Sequence, residues 1–156
     1  MISVGEFRAS VQTQFGGLEI VASETAVVAL KWQATEHADE TVLLKEAISQ
    51  LAAYDAGTLT DFDLPLAPVG SDVLQAVLME IRTIPHGNTA TYGDIAKATG
   101  LSSQSVGQLC GANPIPIIIP CHRVMGTKGL TGFSGKGRVE TKVALSRHEH
   151  AGGFLI

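Results

Sequence analysis

One short segment carries the residues best suited to nucleophilic chemistry. Cys121, His122 and Arg123 follow Pro120 directly, so a thiol stands beside an imidazole and a guanidinium. Neighbouring cations favour the thiolate, which is the nucleophilic form of cysteine. The apolar run 115–119 precedes the segment, and prolines restrict its backbone. The pattern indicates a reactive sulfur on a stiff segment, although a free cysteine is also a common buried core residue.

The composition limits the class of protein. A chain of 156 residues, 45% of them hydrophobic, can form one domain or two small ones. No apolar stretch is long enough to span a bilayer, and the N-terminus does not resemble a signal peptide. Cys110 and Cys121 make no disulfide framework, and the cysteines and histidines lack the spacing of a zinc site. We therefore expect a reduced, cytoplasmic setting, with no membrane association and no metal.

The two halves of the chain differ in charge. Residues 1–70 hold three Lys/Arg and ten Asp/Glu, a net charge of −7. Residues 71–156 hold eight Lys/Arg and five Asp/Glu, a net charge of +3. The total of −4 argues against nucleic-acid binding, but the asymmetry indicates an interaction face on the basic half.

The first half has the pattern of an α/β unit. Three runs rich in β-branched and apolar residues, 7–15, 18–22 and 26–32, predict an antiparallel meander. From residue 40 to Ala52, apolar residues recur at helical spacing. The proline-marked stretch 61–68 is predicted to be an extended linker.

The second half is predicted to be helical. Its three helices begin at residues that can cap them, namely Ser71, Thr91 and either Ser102 or Ser103. Gly100 fits a tight turn between the last two helices, which together form a helix-turn-helix pattern. The later helix, ending near Cys110, is the candidate for DNA recognition. Such helix pairs also occur in bundles that bind no DNA.

One side of this recognition helix is small and polar. Small residues permit close approach to the sugar-phosphate backbone, and hydroxyls and amides can contact phosphates or base edges. The residues concerned are Ser103, Gln104, Ser105, Gly107 and Gln108. An ordinary solvent-exposed helix would have the same composition.

Several ordered motifs, from about Phe62 to Glu149, together resemble the O6-alkylguanine-DNA alkyltransferases, also called methylated-DNA–protein-cysteine methyltransferases. The resemblance extends more loosely to the start of the chain. The motifs are Phe62-Asp63-Leu64-Pro65-Leu66, Ile84-Pro85-His86-Gly87, Thr91-Tyr92-Gly93-Asp94-Ile95-Ala96, Asn113-Pro114-Ile115-Pro116-Ile117, Pro120-Cys121-His122-Arg123-Val124 and Gly132-Phe133-Ser134-Gly135.

The resemblance implies an α+β fold in two domains. A ribonuclease-H-like α/β domain with its linker would occupy residues 1–68, and a winged helix-turn-helix domain would occupy 69–156. It also implies a single-use reaction without a cofactor, in which an alkyl group moves irreversibly from guanine O6 to the protein. The implied partner is double-stranded DNA containing O6-alkylguanine, bound by a monomer.

The resemblance further implies roles for particular residues. Cys121 would accept the alkyl group, after the target nucleotide is flipped out of the duplex. His122 would take the thiol proton through a water, and Glu149 would orient the imidazole. Asn113 would tie the cysteine segment to the helix-turn-helix. Tyr92 would crowd the target phosphate and donate a hydrogen bond to the departing guanine.

The substrate pocket is implied in the same way. The carbonyls of Cys121 and Val124 would read the exocyclic amine of the base. Ser134 would present its backbone N–H to O6, and Phe133 would pack against the base or the alkyl group. Arg123 is expected to brace this pocket by pairing with carbonyls. Contacts to the DNA are expected from Thr91, Ser103, Gln104, Ser105 and Gly107.

Two residues depart from the family pattern. Gln104 stands where an arginine usually fills the gap left by the flipped base, and an amide cannot provide a fixed cation. We therefore expect weaker duplex binding or slower flipping. His86 stands where a tyrosine is common, and no consequence follows from that change.

Other functions remain open at this point. The chain could bind lesions without transferring the alkyl group, or act as a helix-turn-helix regulator of DNA. The presence of Cys121 argues against a lesion binder, and the joint presence of Cys121, His122 and Glu149 argues against a regulator. A cysteine hydrolase would need an oxyanion site, for which the sequence shows no pattern.

Overall fold

The computed structural model describes residues 5–126 and 138–150. It divides into two compact units, with the boundary between Val69 and Gly70. Each unit has the type of secondary structure that its sequence pattern predicts. None of the helices within the described ranges is long and apolar enough to cross a membrane.

The first unit is a three-stranded antiparallel sheet covered by one helix. Its strands are β1 (Phe7–Thr13), β2 (Gly16–Ala22) and β3 (Val27–Lys31), in the order β1-β2-β3. The helix, α1 (Val42–Asp55), begins at Thr41, whose side chain accepts from the N–H of Leu44. It packs against β1 and β2. The predicted meander and helix are therefore confirmed.

The apolar residues of this unit face each other between the sheet and α1. Leu18, Ile20, Leu44 and Leu51 are buried there, and the Tyr54 ring lies 5.3 Å from that of Phe62. The proline-marked stretch that follows is extended, as predicted, but it also belongs to the unit. Two backbone hydrogen bonds attach this stretch to Val27 of β3. The N–H of Val27 donates to the carbonyl oxygen of Pro65, and the N–H of Ala67 donates to the carbonyl oxygen of Val27.

The second unit is mainly helical. It consists of α2 (Asp72–Ile81), β4 (Ala90–Thr91), α3 (Tyr92–Thr99), α4 (Ser103–Gly111), a 3-10 helix (Cys121–Arg123), β5 (Val124–Met125) and α5 (Arg138–His148). β4 and β5 form a short parallel pair, in which Ala90 lies opposite Val124. α2, α3 and α4 pack on one another, with Leu74, Val77 and Ile81 among their buried residues.

The capping residues fix where these helices begin. Ser71 caps α2, and Ser102 rather than Ser103 caps α4. Thr91 and Asp94 form a capping box at α3, each side chain accepting from the other residue's N–H. Gly100 then ends α3 with φ of 75°, a left-handed conformation that favours glycine. The predicted helix-turn-helix is therefore present as α3 and α4.

Candidate active site

Cys121 begins the 3-10 helix and is only partly buried, whereas His122 and Arg123 beside it are buried. Pro120 precedes it with φ −82° and ψ 63°. The N–H of Cys121 accordingly donates to the carbonyl oxygen of Ile119 at 2.8 Å, which closes an inverse γ-turn. The proline therefore fixes the backbone at the cysteine, and the side chain remains within reach of a ligand.

The apolar run before the cysteine contains a strained residue. Ile117 has φ of 71°, a region that β-branched residues rarely occupy. The N–H of Ile118 donates to the carbonyl oxygen of Pro116 at 2.8 Å across it, so Ile117 is the centre of a second γ-turn. Such a conformation costs about 1–3 kcal/mol, and it persists only where the surroundings enforce it. Burial of the Ile117 side chain is one such constraint.

Asn113 provides the second constraint. Its Nδ2 donates to the carbonyl oxygen of Ile119 at 2.9 Å, and its Oδ1 accepts from the N–H of Ile115 at 2.9 Å. One side chain thus holds both ends of the strained segment. Because Asn113 follows α4 closely in the chain, it also ties the cysteine segment to the helix-turn-helix.

Glu149 is the centre of the buried polar cluster behind the cysteine. Its Oε2 lies 2.8 Å from Nε2 of His122, and its Oε1 accepts from Nε of Arg123 at 2.8 Å. Nη2 of Arg123 donates to Oε2 at 3.0 Å, which makes the ion pair bidentate. Nη1 donates to the carbonyl oxygen of Ile84 at 2.6 Å. Carbonyls were the expected partners of Arg123, and Ile84 provides one, but the main partner of Arg123 is this carboxylate.

This arrangement decides the tautomer of His122. An ionised carboxylate can only accept hydrogen bonds, so Nε2 must carry the hydrogen and Nδ1 must present a lone pair. Nδ1 is buried and has no hydrogen-bond partner among the described residues. Burial lowers the pKa of His122, and the charges of Arg123 and Lys142 lower it further, against the opposing effect of Glu149. The imidazole is therefore neutral at pH 7 and can accept a proton.

A second polar cluster forms around Lys142 of α5, which is fully buried. Its Nζ donates to the carbonyl oxygen of Val124, and to the hydroxyl of Tyr92 at 3.4 Å. It also lies 5.5 Å from the centroid of the Tyr92 ring. Burial lowers the pKa of Lys142 to about 8, although the thiolates of Cys121 and Cys110 would favour the ammonium.

The two cysteines lie in different environments. Cys110 on α4 is buried, and burial is the main reason why its pKa rises to about 12, with Cys121 adding to the effect. It therefore remains a thiol at neutral pH, which is the unreactive form. The more accessible Cys121 is the better candidate for a nucleophile.

The polar side of α4 lies at the surface. Ser103, Gln104 and Gln108 are exposed, and Ser105 and Gly107 are partly exposed. Val106 and Cys110 point inward instead. Thr91 is partly exposed, but its hydroxyl accepts from the N–H of Asp94 and is thus engaged in capping α3.

The structure brings together most, but not all, of the predicted site. His122, Arg123 and Glu149 lie in one buried cluster that Cys121 directly precedes in the chain, and Tyr92 and Val124 meet at Lys142. Phe133 and Ser134 lie outside the described residues. Sequence reasoning missed Lys142, although a signal was present. Residues 142, 145, 146 and 149 follow helical spacing, which places Lys142 on the same face as Glu149.

A helix-turn-helix, together with a buried His122–Arg123–Glu149 cluster beside the partly buried Cys121, is the arrangement expected of a DNA-binding protein with a reactive cysteine. The chain matches the 6-O-methylguanine DNA methyltransferase family in both units. The ribonuclease-like domain of that family matches residues 7–68, and its DNA binding domain matches residues 72–151.

Individual relatives agree with this assignment. The chain is 46% identical to a methylated-DNA–protein-cysteine methyltransferase of Mycolicibacterium paratuberculosis over 114 residues, which are 70% of this chain and 69% of the relative. It is 48% identical to one of Methanosarcina acetivorans over 93 residues, 58% of this chain and 60% of that protein. The stretch aligned with that second relative therefore spans less than two thirds of its length.

Solved structures match over nearly the whole chain. The crystal structure of the Mycobacterium tuberculosis O6-methylguanine methyltransferase has a TM-score of 0.84 at 33% identity, covering 94% of this chain and 93% of that one. The structure of the M. tuberculosis OGT in complex with DNA has a TM-score of 0.79 at 34% identity, covering 96% and 97%.

The chain therefore belongs to the 6-O-methylguanine DNA methyltransferase family. Its predicted fold class is confirmed, with a ribonuclease-like domain followed by a DNA-binding domain. The predicted class of enzyme, a methylated-DNA–protein-cysteine methyltransferase of DNA repair, is confirmed with it.

The role of Asn113 in holding the cysteine segment can be tested by stability. Asn113→Ala removes two hydrogen bonds and leaves backbone groups of the strained segment unpaired, so the free energy of unfolding should fall by about 2–4 kcal/mol. Asn88→Ala, at an exposed position of the same unit, is the control and should change it by less than about 0.5 kcal/mol. Urea unfolding measures both. Equal stability of the two variants would contradict the role of Asn113.

The lowered pKa of His122 predicts how stability depends on pH. Below pH of about 6.5 the unfolded chain takes up a proton that the folded imidazole does not, so stability should fall as pH falls. His122→Gln keeps a donor for Glu149 but does not titrate. We expect urea unfolding between pH 7.5 and 5.5 to show that the free energy of unfolding falls more steeply for the native protein than for this variant. The difference should be up to about 1.4 kcal/mol per pH unit. Parallel pH curves for the two proteins would rule the explanation out.

Proposed function

We propose that this chain reverses O6-alkylation of guanine in double-stranded DNA by moving the alkyl group irreversibly to Cys121. The observation that carries the proposal is the Glu149–His122 pair next to the accessible Cys121. The carboxylate of Glu149 fixes the imidazole of His122 with its hydrogen on Nε2. His122 directly follows Cys121 in the 3-10 helix. An orienting carboxylate and a base are thus in contact, and the proposed nucleophile is the residue just before the base in the chain.

The proposed reaction is a single displacement. His122 Nδ1 takes the thiol proton of Cys121 through a water, and Sγ then bonds to the alkyl carbon. The bond between this carbon and O6 breaks, and its electron pair stays with the base. The guanine anion accepts a hydrogen bond from Tyr92 and takes up one proton from solvent. His122 releases the proton that it took from the thiol back to solvent. A thioether is a poor alkyl donor, so each protein molecule reacts once, without a cofactor.

The environment of Tyr92 supports its part in this scheme. Burial raises the pKa of Tyr92 to about 12, and negative charge on Cys110 or Cys121 would raise it further. The phenol is therefore protonated at neutral pH and can donate to a base that gains negative charge. Such a donor stabilises the transition state more than the ground state.

The remaining site roles follow the resemblance. The flipped base would be read by the carbonyls of Cys121 and Val124, each of which keeps one lone pair beside its internal hydrogen bond. Ser134 and Phe133 would complete the pocket. The internal contacts of Arg123 favour a role in holding Glu149 over contact with the substrate. Ser103, Gln104, Ser105, Gly107 and Thr91 would contact the DNA.

The domain limits and cellular setting are parts of the same proposal. We assign residues 1–68 to the ribonuclease-H-like domain with its linker and residues 69–156 to the alkyltransferase domain. A monomer in the cytoplasm suits a repair protein that depends on a reduced thiol at Cys121.

Intact-mass measurement and peptide mapping test the transfer directly. After incubation with duplex DNA carrying O6-methylguanine, we expect a gain of one methyl group per protein molecule, on the peptide that contains Cys121. Cys121→Ser should gain none, whereas Cys110→Ala should still be methylated at Cys121. Binding of the duplex without methylation would favour a lesion binder or a regulator, and methylation of Cys110 would contradict the assignment of the nucleophile.

Gln104 provides a prediction about base flipping. It is exposed near the start of α4, where an arginine could enter the space left by the flipped base and add a cation near the phosphates. Gln104→Arg should therefore increase the single-turnover rate on duplex DNA several-fold at subsaturating protein. Gln108→Arg, which adds the same charge one turn later, is the matched control and should gain less. No gain in Gln104→Arg would contradict this role.

A further inference from the structure

One edge of the sheet in the first unit is covered by a short segment of the chain. β1 is an outer strand, because the strand order is β1-β2-β3. The segment 33–39, here termed the edge cover, attaches to its outer side. The N–H of Ser10 donates to the carbonyl oxygen of His37 at 3.2 Å, and the N–H of Asp39 donates to the carbonyl oxygen of Arg8 at 2.9 Å. The edge cover therefore occupies the positions at which another strand would pair.

Side chains end this pairing after a single bridge. In a continuing antiparallel ladder, Arg8 and Asp39 would exchange both of their main-chain hydrogen bonds. Instead, the N–H of Arg8 donates to Oδ2 of Asp39 at 2.8 Å. At the other end, the N–H of His37 donates to the hydroxyl of Thr35 at 3.3 Å. The main chain alone holds the edge cover weakly, so its attachment depends on side chains.

Glu19 of β2 provides the central side-chain contact. It is buried, and its Oε2 accepts from the hydroxyl of Thr35 at 2.6 Å. Its Oε1 accepts from Nε2 of Gln33 at 3.3 Å and from Nη1 of Arg8 at 3.4 Å. Two residues of the edge cover thus bind one carboxylate beneath it. Hydrogen bonds to a charged acceptor are stronger than those between neutral groups.

The carboxylate gives the hydrogen bonds around Thr35 a direction. An ionised carboxylate can only accept, so the hydroxyl hydrogen of Thr35 points to Glu19. The hydroxyl of Ser10, 3.1 Å away, then donates to Thr35, and its oxygen accepts from the N–H of Thr35 at 2.9 Å. These contacts join β1, the edge cover and β2. The edge cover also lies close to the start of β2, since a Cβ at Gly17 would be 2.6 Å from that of Ala34.

We propose that Glu19 is a latch that holds the edge cover on β1 and thereby prevents β1 from pairing with β1 of a second copy of the chain. Exposed strand edges are templates for pairing, and proteins commonly cover them. This role explains why a carboxylate is buried at this position, although its burial costs free energy that only its partners offset. The inference concerns the first unit alone and does not depend on the proposed alkyl transfer.

The geometry of β1 favours a second copy as the partner. Two identical antiparallel strands are related by a two-fold axis, and an axis at Ala9 would place Arg8 of each copy opposite Ser10 of the other. Like charges would then not lie opposite each other. Each of these pairs could exchange both main-chain hydrogen bonds, whereas the edge cover forms only one at each position. A second copy would therefore replace the edge cover with a more complete ladder.

Hydrogen exchange of individual backbone amides, measured by NMR, tests the latch. Thr35→Val keeps the shape of the side chain but removes the hydroxyl, and Glu19→Gln removes the charge. In both variants the amides of Ser10 and Asp39 should exchange about 10- to 100-fold faster than in the native protein, the effect expected for loss of one hydrogen bond to a charged group. Glu24→Gln, at an exposed position of the same unit, is the control and should leave these rates unchanged.

The other amides of the sheet show whether the opening is local. Amides that join β2 to β3 should keep their native exchange rates in both variants. An equal acceleration there would mean that the whole unit is destabilised, and unchanged exchange at Ser10 and Asp39 would mean that Glu19 does not hold the edge cover. Either result would overturn the latch. The double variant Glu19→Gln/Thr35→Val should open the edge no further than the more open single variant, because both changes remove the same contact.

Self-association tests the identity of the partner. In sedimentation velocity, the native protein and Glu24→Gln should remain monomers, whereas Thr35→Val and Glu19→Gln should form dimers as the protein concentration rises. In these dimers the amides of Arg8 and Ser10 should become protected from exchange again. Variants with an open edge that stay monomeric, or that associate without this protection, would overturn the pairing of β1 with a second copy.

Discussion

The site depends on the buried carboxylate of Glu149. A carboxylate without partners would be too costly to bury, and Arg123 compensates its charge with two hydrogen bonds. This leaves a lone pair of Oε2 to fix His122. The same arginine also binds the carbonyl of Ile84, after α2. One charge pair thus sets the tautomer of His122 and connects the 3-10 helix, the end of α5 and the segment after α2.

A second constraint acts on the backbone at Cys121. Two γ-turns bend the segment before Cys121, and the one at Ile117 is strained. Asn113 and the burial of Ile117 maintain this conformation, so folding energy elsewhere offsets the local cost. These contacts fix the backbone that leads into Cys121. In the proposed transfer, preorganisation of this kind lowers the barrier to attack by the thiol.

The sequence predicted the elements because their signals are local. Thr91, Ser102 and Gly100 determine the ends of α3 and α4 through hydrogen bonds and φ preferences within one turn. The alternating and helical patterns of the first half likewise gave its three strands and α1. The short pairing of β4 with β5 was not predicted, since two residues per strand carry no periodic signal and the partners are far apart in the chain.

The sequence by itself determined the caps, the helix-turn-helix and, through its ordered motifs, the family, and it predicted Cys121 as the nucleophile. Only the tertiary structure decided the electrostatics of the site. Arg123 pairs with Glu149, which is 26 positions away in the chain. Lys142 contacts Tyr92, which is 50 positions away, and does not face solvent. Charges and hydrogen bonds act through space, and their strength depends on burial, which local sequence does not specify. The protonation states of His122, Cys110 and Lys142 are therefore properties of the fold.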